Sequence, residues 1–113
     1  MLIRAASLAV GLFGLHVSAV ACHTPVRGQS VAVATPAAAI LAAKAAWRSI
    51  YTKAPRHSAF SPESIAHGEP YVATLENGVW HIIGTLPAGA VGGTAMAVVC
   101  QVDGAVEATS HGQ

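Results

Sequence analysis

The chain has 113 residues, 53% of them hydrophobic and 10% charged, with a formal net charge of +1. That length supports one domain. The charge balance supplies neither a basic field to hold nucleic acid nor an acidic tail.

The first 21 residues, MLIRAASLAVGLFGLHVSAVA, read as a secretory signal peptide. Arg4 gives a positive start, Leu8 to Leu15 is a short apolar core, and Ala19-Val20-Ala21 is a small-residue cleavage site. The same stretch approaches the ~20 residues a membrane-spanning helix needs. His16 and the cleavage-like site argue for removal instead. From Cys22 onward, Arg27, Lys44, Arg48, Lys53 and Arg56 balance Glu63, Glu69, Glu76, Asp103 and Glu107. The mature chain is therefore neutral.

Cys22 and Cys100 are the two cysteines. Ala19-Val20-Ala21-Cys22 resembles a bacterial lipobox, with Ala19 where the usual box has leucine. That resemblance implies acylation of the Cys22 thiol, and residues 22–34, which hold Pro25, Gly28, Gln29 and Ser30, suit a tether. His23 after the cysteine implies an outer-membrane lipoprotein. The competing reading is secretion with a Cys22–Cys100 disulfide in an oxidising compartment. The lipoprotein is the favoured of the two.

The folded domain is expected over residues 35–113. Thr35-Pro36 reads as a cap followed by a first helical residue. Ala37 to Tyr51 has no glycine, and Ile40, Ala43, Trp47, Ile50 and Tyr51 form an apolar stripe at helical spacing. Lys44 and Arg48 lie on its polar flank and read most simply as a solvated face. Ser61-Pro62-Glu63 repeats the cap signal for about one turn, closed by Gly68.

Tyr71 to Glu76 and Val79 to Leu86 flank Asn77-Gly78, a strong hairpin signal. A two-residue turn sets Glu76 opposite Val79, Leu75 opposite Trp80, Ala73 opposite Ile82 and Tyr71 opposite Gly84. Tyr71, Ala73, Leu75, Trp80 and Ile82 then share the face that packs on the helix stripe, with Trp80 near Trp47 and Ile50. Val72, Thr74, Glu76, Val79, His81 and Ile83 share the other. A second hairpin joins Thr94–Val102 to Ala105–Ser110 through Asp103-Gly104, with Val99 opposite Ala108 and Gln101 opposite Val106. Gly92-Gly93 suits a bulge or bend before it. The sum is an α+β domain: one long N-terminal helix on a curved antiparallel sheet of about four strands.

Catalytic chemistry is hard to place. The histidines after the leader lack the i, i+4 spacing of a helical metal site and have no thiolates beside them. Asp103 sits in a turn, Glu76 beside one, and Glu63 in a first helical turn. There is no Gly-x-Ser-x-Gly elbow and no phosphate loop. The expectation is a protein without catalytic residues, metal or cofactor.

The ordered motifs resemble the NTF2-fold immunity proteins, also called the YbbC/YhhH type. They are Ala45-Ala46-Trp47-Arg48-Ser49-Ile50-Tyr51, Glu69-Pro70-Tyr71, Gly78-Val79-Trp80 running into Gly84-Thr85-Leu86-Pro87, Gly92-Gly93, Asp103-Gly104 and His111-Gly112. Trp47, Tyr51, Tyr71, Trp80, Gly84 and Gly93 make the core signature. The resemblance covers about Val33 to Gly112. It implies an NTF2/cystatin-like fold and a non-enzymatic immunity protein that binds a bacterial toxin, met in the cell envelope. The chain is also similar to PepSY domains, which implies a small structural or ligand-sensing envelope module as the alternative. Any partner surface must be one the core leaves free. The candidates are Thr74, Glu76, His81 and Ile83 on the outer hairpin face, and the loop from Pro87 to Gly92.

Overall fold

The computed structural model describes residues 21–86 and 93–110, the side chain of Ser110 excepted. The expected signal peptide and lipobox lie outside these residues, apart from Ala21 and Cys22. So do Pro87 to Gly92 and the His111-Gly112 pair. Helix α1 spans Pro36–Lys53. A 3-10 turn, Ser58–Phe60, leads into the short helix α2, Pro62–His67. Four strands follow: β1 Val72–Glu76, β2 Val79–Ile83, β3 Ala95–Cys100 and β4 Val106–Ser110. They form one antiparallel sheet in the order β1-β2-β3-β4. This is the expected α+β arrangement, with α1 packed against all four strands.

Both helices start as their sequences dictate. The Thr35 hydroxyl accepts from the Ala38 amide, and Ser61 accepts from Ser64, each with proline at the first helical position. Ala39, Ala43 and Trp47 form the fully buried line of α1. Ile40, Ile50 and Tyr51 pack at its flanks. Small alanines let the helix approach the sheet closely, and Trp47 fills the space farther along.

The first hairpin has the expected register: Glu76 faces Val79, Leu75 faces Trp80 and Ala73 faces Ile82. Asn77 at φ 52° and Gly78 at φ 81° supply the two positive φ values a primed turn needs. Trp80, Ile82, Ala95, Ala97 and Val99 are buried beneath α1. Leu75 departs from its expected burial and stays 42% exposed, because β1 is an edge strand.

The second hairpin departs from expectation. Val99 faces Val106, not Ala108, so the register differs by two residues. The reason lies outside the hairpin. Gln101 donates to the Gly78 carbonyl, while the Gln101 and Val102 carbonyls accept from Val33 and Ala32. Those two residues serve the N-terminal segment and the first hairpin instead of β4. The strand ends at Cys100, whose amide bonds Ala105 across a four-residue loop. A shift of two leaves every side chain on its expected face.

The N-terminal segment is also a correction. Residues 22–34 are fastened to the domain and do not form a free tether. The Cys22 sulfur is bonded to Cys100. A Cβ at Gly78 would come within about 3 Å of His23 and Thr24, so the segment lies directly on the first turn. Val33 then accepts from the indole N–H of Trp80 at 2.9 Å and is itself buried. Trp80 is thus held beside the start of α1. Trp47, in the C-terminal half of the helix, instead packs with Tyr71 and Phe60 and donates to the Met96 carbonyl.

Gly84 explains itself sterically. A Cβ there would lie 2.7 Å from the Gly68 carbonyl oxygen and 2.8 Å from the Tyr71 ring. Both neighbours are fixed, since Gly68 accepts from Thr85 and the Tyr71 hydroxyl donates to Ile65. Gly84→Ala is expected to cost about 1–3 kcal/mol by overpacking. Urea unfolding would show it as a lower midpoint at unchanged slope.

Candidate functional site: the open face of the sheet

The alternation along β1 and β2 sends one set of side chains to α1 and the other outward. Cross-strand pairing sorts the outward set into rows. Val72, Ile83, Met96 and Thr109 form the first row. Thr74, His81, Val98 and Glu107 form the second. Glu76, Val79 and Cys100 form the third. The Cys22–Cys100 bond brings the N-terminal segment to the third row, where Cys100 is 1% exposed although it points away from α1.

The first row is open. Val72 is 51% and Ile83 48% exposed, beside a half-buried Met96. Next to it, the exposed His81 and Glu76 approach at 3.9 Å between Nε2 and Oε1. So exposed a pair contributes little to stability. Four expected site residues, Thr74, Glu76, His81 and Ile83, therefore do share one accessible face. Pro87 and Gly92 lie outside the described residues. Met96 completes the apolar row and was missed in the sequence, because β3 reads as apolar throughout and only its pairing to Ile83 sorts the two faces.

Cys22 requires a correction. Its sulfur is used by Cys100, so it cannot also carry a thioether-linked lipid. The structure takes the disulfide, the other reading open in the sequence. Among the described residues no three His, Cys, Asp or Glu side chains gather as metal ligands. No helix among them is long and apolar enough to cross a membrane.

The family model for NTF2 fold immunity proteins matches residues 38–113. That is two thirds of the chain, from the first turn of α1 through the whole sheet. The chain belongs to this family. No curated protein and no solved structure matches it. Four of the expected core-signature residues sit at joints of the fold. Trp47, Tyr71 and Gly84 meet where α1, the loop after α2 and the end of β2 converge, while Trp80 joins the sheet to the residue before the helix. Tyr51 lies at the rim of the core on α1, and Gly93 is exposed just before β3. Trp47, Tyr71, Gly84 and Trp80 are residues of architecture, whereas the exposed Gly93 is not part of the core. The family's role as immunity proteins points to a protein partner, a toxin, and so to surface outside that core.

The Tyr71 hydroxyl donates to Ile65 at 2.9 Å. Burial raises its pKa above the ordinary tyrosine value, and the negative charge of Glu69 adds to the effect. A raised value means this group's contribution to stability is complete below pH ~10 and is lost as pH climbs through the folded-state pKa.

Proposed function

We propose that this chain is an exported, non-enzymatic immunity protein that neutralises a bacterial toxin by binding it through the open face of the sheet. The observation that carries this reading is the apolar row Val72, Ile83 and Met96, two of whose members are about half exposed beside His81 and Glu76. An apolar centre with polar neighbours suits a protein interface. Export is supported by the signal-like leader and by the Cys22–Cys100 bond, which needs an oxidising compartment. The YbbC/YhhH-type placement rests on the Gly78-Val79-Trp80 segment running into Gly84-Thr85-Leu86-Pro87.

The test uses the toxin encoded beside this gene, directed to the envelope of a host that also makes this protein. The wild type should protect growth. Glu76→Lys combined with His81→Ala should change folding stability by no more than ~0.5 kcal/mol, since both positions are exposed. The same double variant should lose protection and toxin binding. Full protection by the folded variant would move the interface elsewhere. A wild type that neither protects nor binds would leave the small structural module as the better account.

A further inference from the structure

A cleft of about 250 Å³ lies between α1 and α2, away from the open face of the sheet. Tyr51 and Phe60 meet Pro62, Ile65 and Ala66 to make its walls apolar, and Lys44, Arg48 and Glu69 carry its charges. We propose that this cleft binds a small carboxylate with an apolar body.

The site is built rather than incidental. Phe60 is 7% exposed and stacks on Trp47. The Tyr71 hydroxyl donates to the Ile65 carbonyl and so ties α2 to the sheet. Ser64 donates to the Ser58 carbonyl, which holds the 3-10 turn against α2. Lys44 pairs with Glu69 and also lies over the Tyr71 ring, 5.6 Å from its centre. Arg48 stands one turn farther along the same side of α1. It has no ion pair or hydrogen bond among the described residues. An exposed guanidinium with no such partner among the described residues, beside an apolar hollow, presents a planar fork that matches a carboxylate.

Charge and size set the ligand class. Two cations and one carboxylate leave the cleft with one net positive charge, which a monoanion balances. The volume is below the ~300 Å³ at which drug-sized pockets begin. One aromatic or short aliphatic body fills it. The carboxylate pairs with Arg48, and the body lies against Phe60, Ile65 and Ala66. This ligand is separate from the toxin partner, because neither Arg48 nor Ala66 belongs to the open sheet face.

Amide NMR titration of the full mature chain with 4-phenylbutyrate tests the proposal. Saturating shifts are expected at Arg48, Ile65 and Ala66, with the millimolar-range affinity that a ligand of this size can reach. Acetate lacks the body and 4-phenylbutan-1-ol lacks the charge, so each should bind at least tenfold more weakly. Arg48→Gln should weaken 4-phenylbutyrate about tenfold or more while the spectrum stays folded. Ala66→Phe should fill the hollow and abolish binding. Shifts scattered over the surface, or an Arg48→Gln protein that binds as the wild type does, overturn the proposal. If 4-phenylbutyrate does not bind while Ala66→Phe abolishes toxin binding, the cleft is a seat for a partner side chain and the small carboxylate is excluded.

Discussion

Trp47→Ala should lower stability by about 3–5 kcal/mol, the range for removing a large aromatic from a core. Trp47 is 0% exposed and bridges three parts of the fold. It stacks on Phe60 at 6.4 Å, meets Tyr71 at 5.0 Å, and donates its indole N–H to Met96 at 3.0 Å. Alanine would leave a void and remove the indole's hydrogen bond to the Met96 carbonyl, which adds to the transfer cost. Small domains hold only about 5–15 kcal/mol in total. Each kcal/mol shifts the midpoint of a domain this size by about 4–8 °C, so a fall of roughly 12–40 °C is expected. Far-UV circular dichroism melts measure it. Trp47→Phe should recover part of the loss by refilling the space without the hydrogen bond. A Trp47→Ala midpoint within a degree or two of the wild type would show that α1 does not pack on the sheet through this residue.

Trp80→Ala belongs to the same class but acts at the other end of the helix. Its indole donates to Val33, and Val33 in turn donates to Gln101. Losing Trp80 would therefore loosen the N-terminal segment as well as the core. Trp47→Ala should leave that segment fastened. The two tryptophans, which look equivalent as core residues in the sequence, report on different joints.

What could be read from the sequence was what local rules decide. Asn77-Gly78 fixed the first hairpin because both residues need positive φ and the loop has no slack. Thr35-Pro36 and Ser61-Pro62 marked the helix starts because a capping hydroxyl and a proline act on their own turns. Asp103-Gly104 carries a similar signal, and Gly104 does adopt a positive φ. Its strands still paired two residues away, because Gln101 and Val102 found partners in Val33, Ala32 and Gly78. No local rule contains that competition. The open face was legible for the same reason as the first hairpin, since the register fixed which side each residue took. The cleft was not. It exists because the 3-10 turn Ser58–Phe60 packs against both α1 and α2, which sets Phe60 and Ile65 beside Lys44 and Arg48. In the sequence the two cations read most simply as a solvated flank, with a partner site as the minor reading.

Opening the Cys22–Cys100 bond should have the second large effect, and its size separates two accounts of the N-terminal segment. The bond spans 78 residues, so it encloses nearly the whole domain. Loop entropy for a closure of that length amounts to about 4.5 kcal/mol of constraint on the unfolded chain. The reduced protein, or Cys22→Ser with Cys100→Ser, should therefore melt well below the oxidised one. The loss has a lower bound set by local release. The reduced segment can peel from the Asn77-Gly78 turn while Val33 keeps its bonds to Gln101 and Trp80. In that case the core survives and the change appears first at the segment itself. Trypsin distinguishes the outcomes through Arg27, which lies between the disulfide and Val33. The oxidised protein should resist cleavage there, and the reduced protein should be cut at Arg27 before Lys44 or Arg48 in α1. Simultaneous cutting at all three would mean that the bond holds the whole fold. Equal resistance in both redox states would mean that the backbone contacts alone secure the segment. Intact mass completes the test: a chain starting at Cys22, lighter by two hydrogens than its reduced form and carrying no acyl chains, is the expected species.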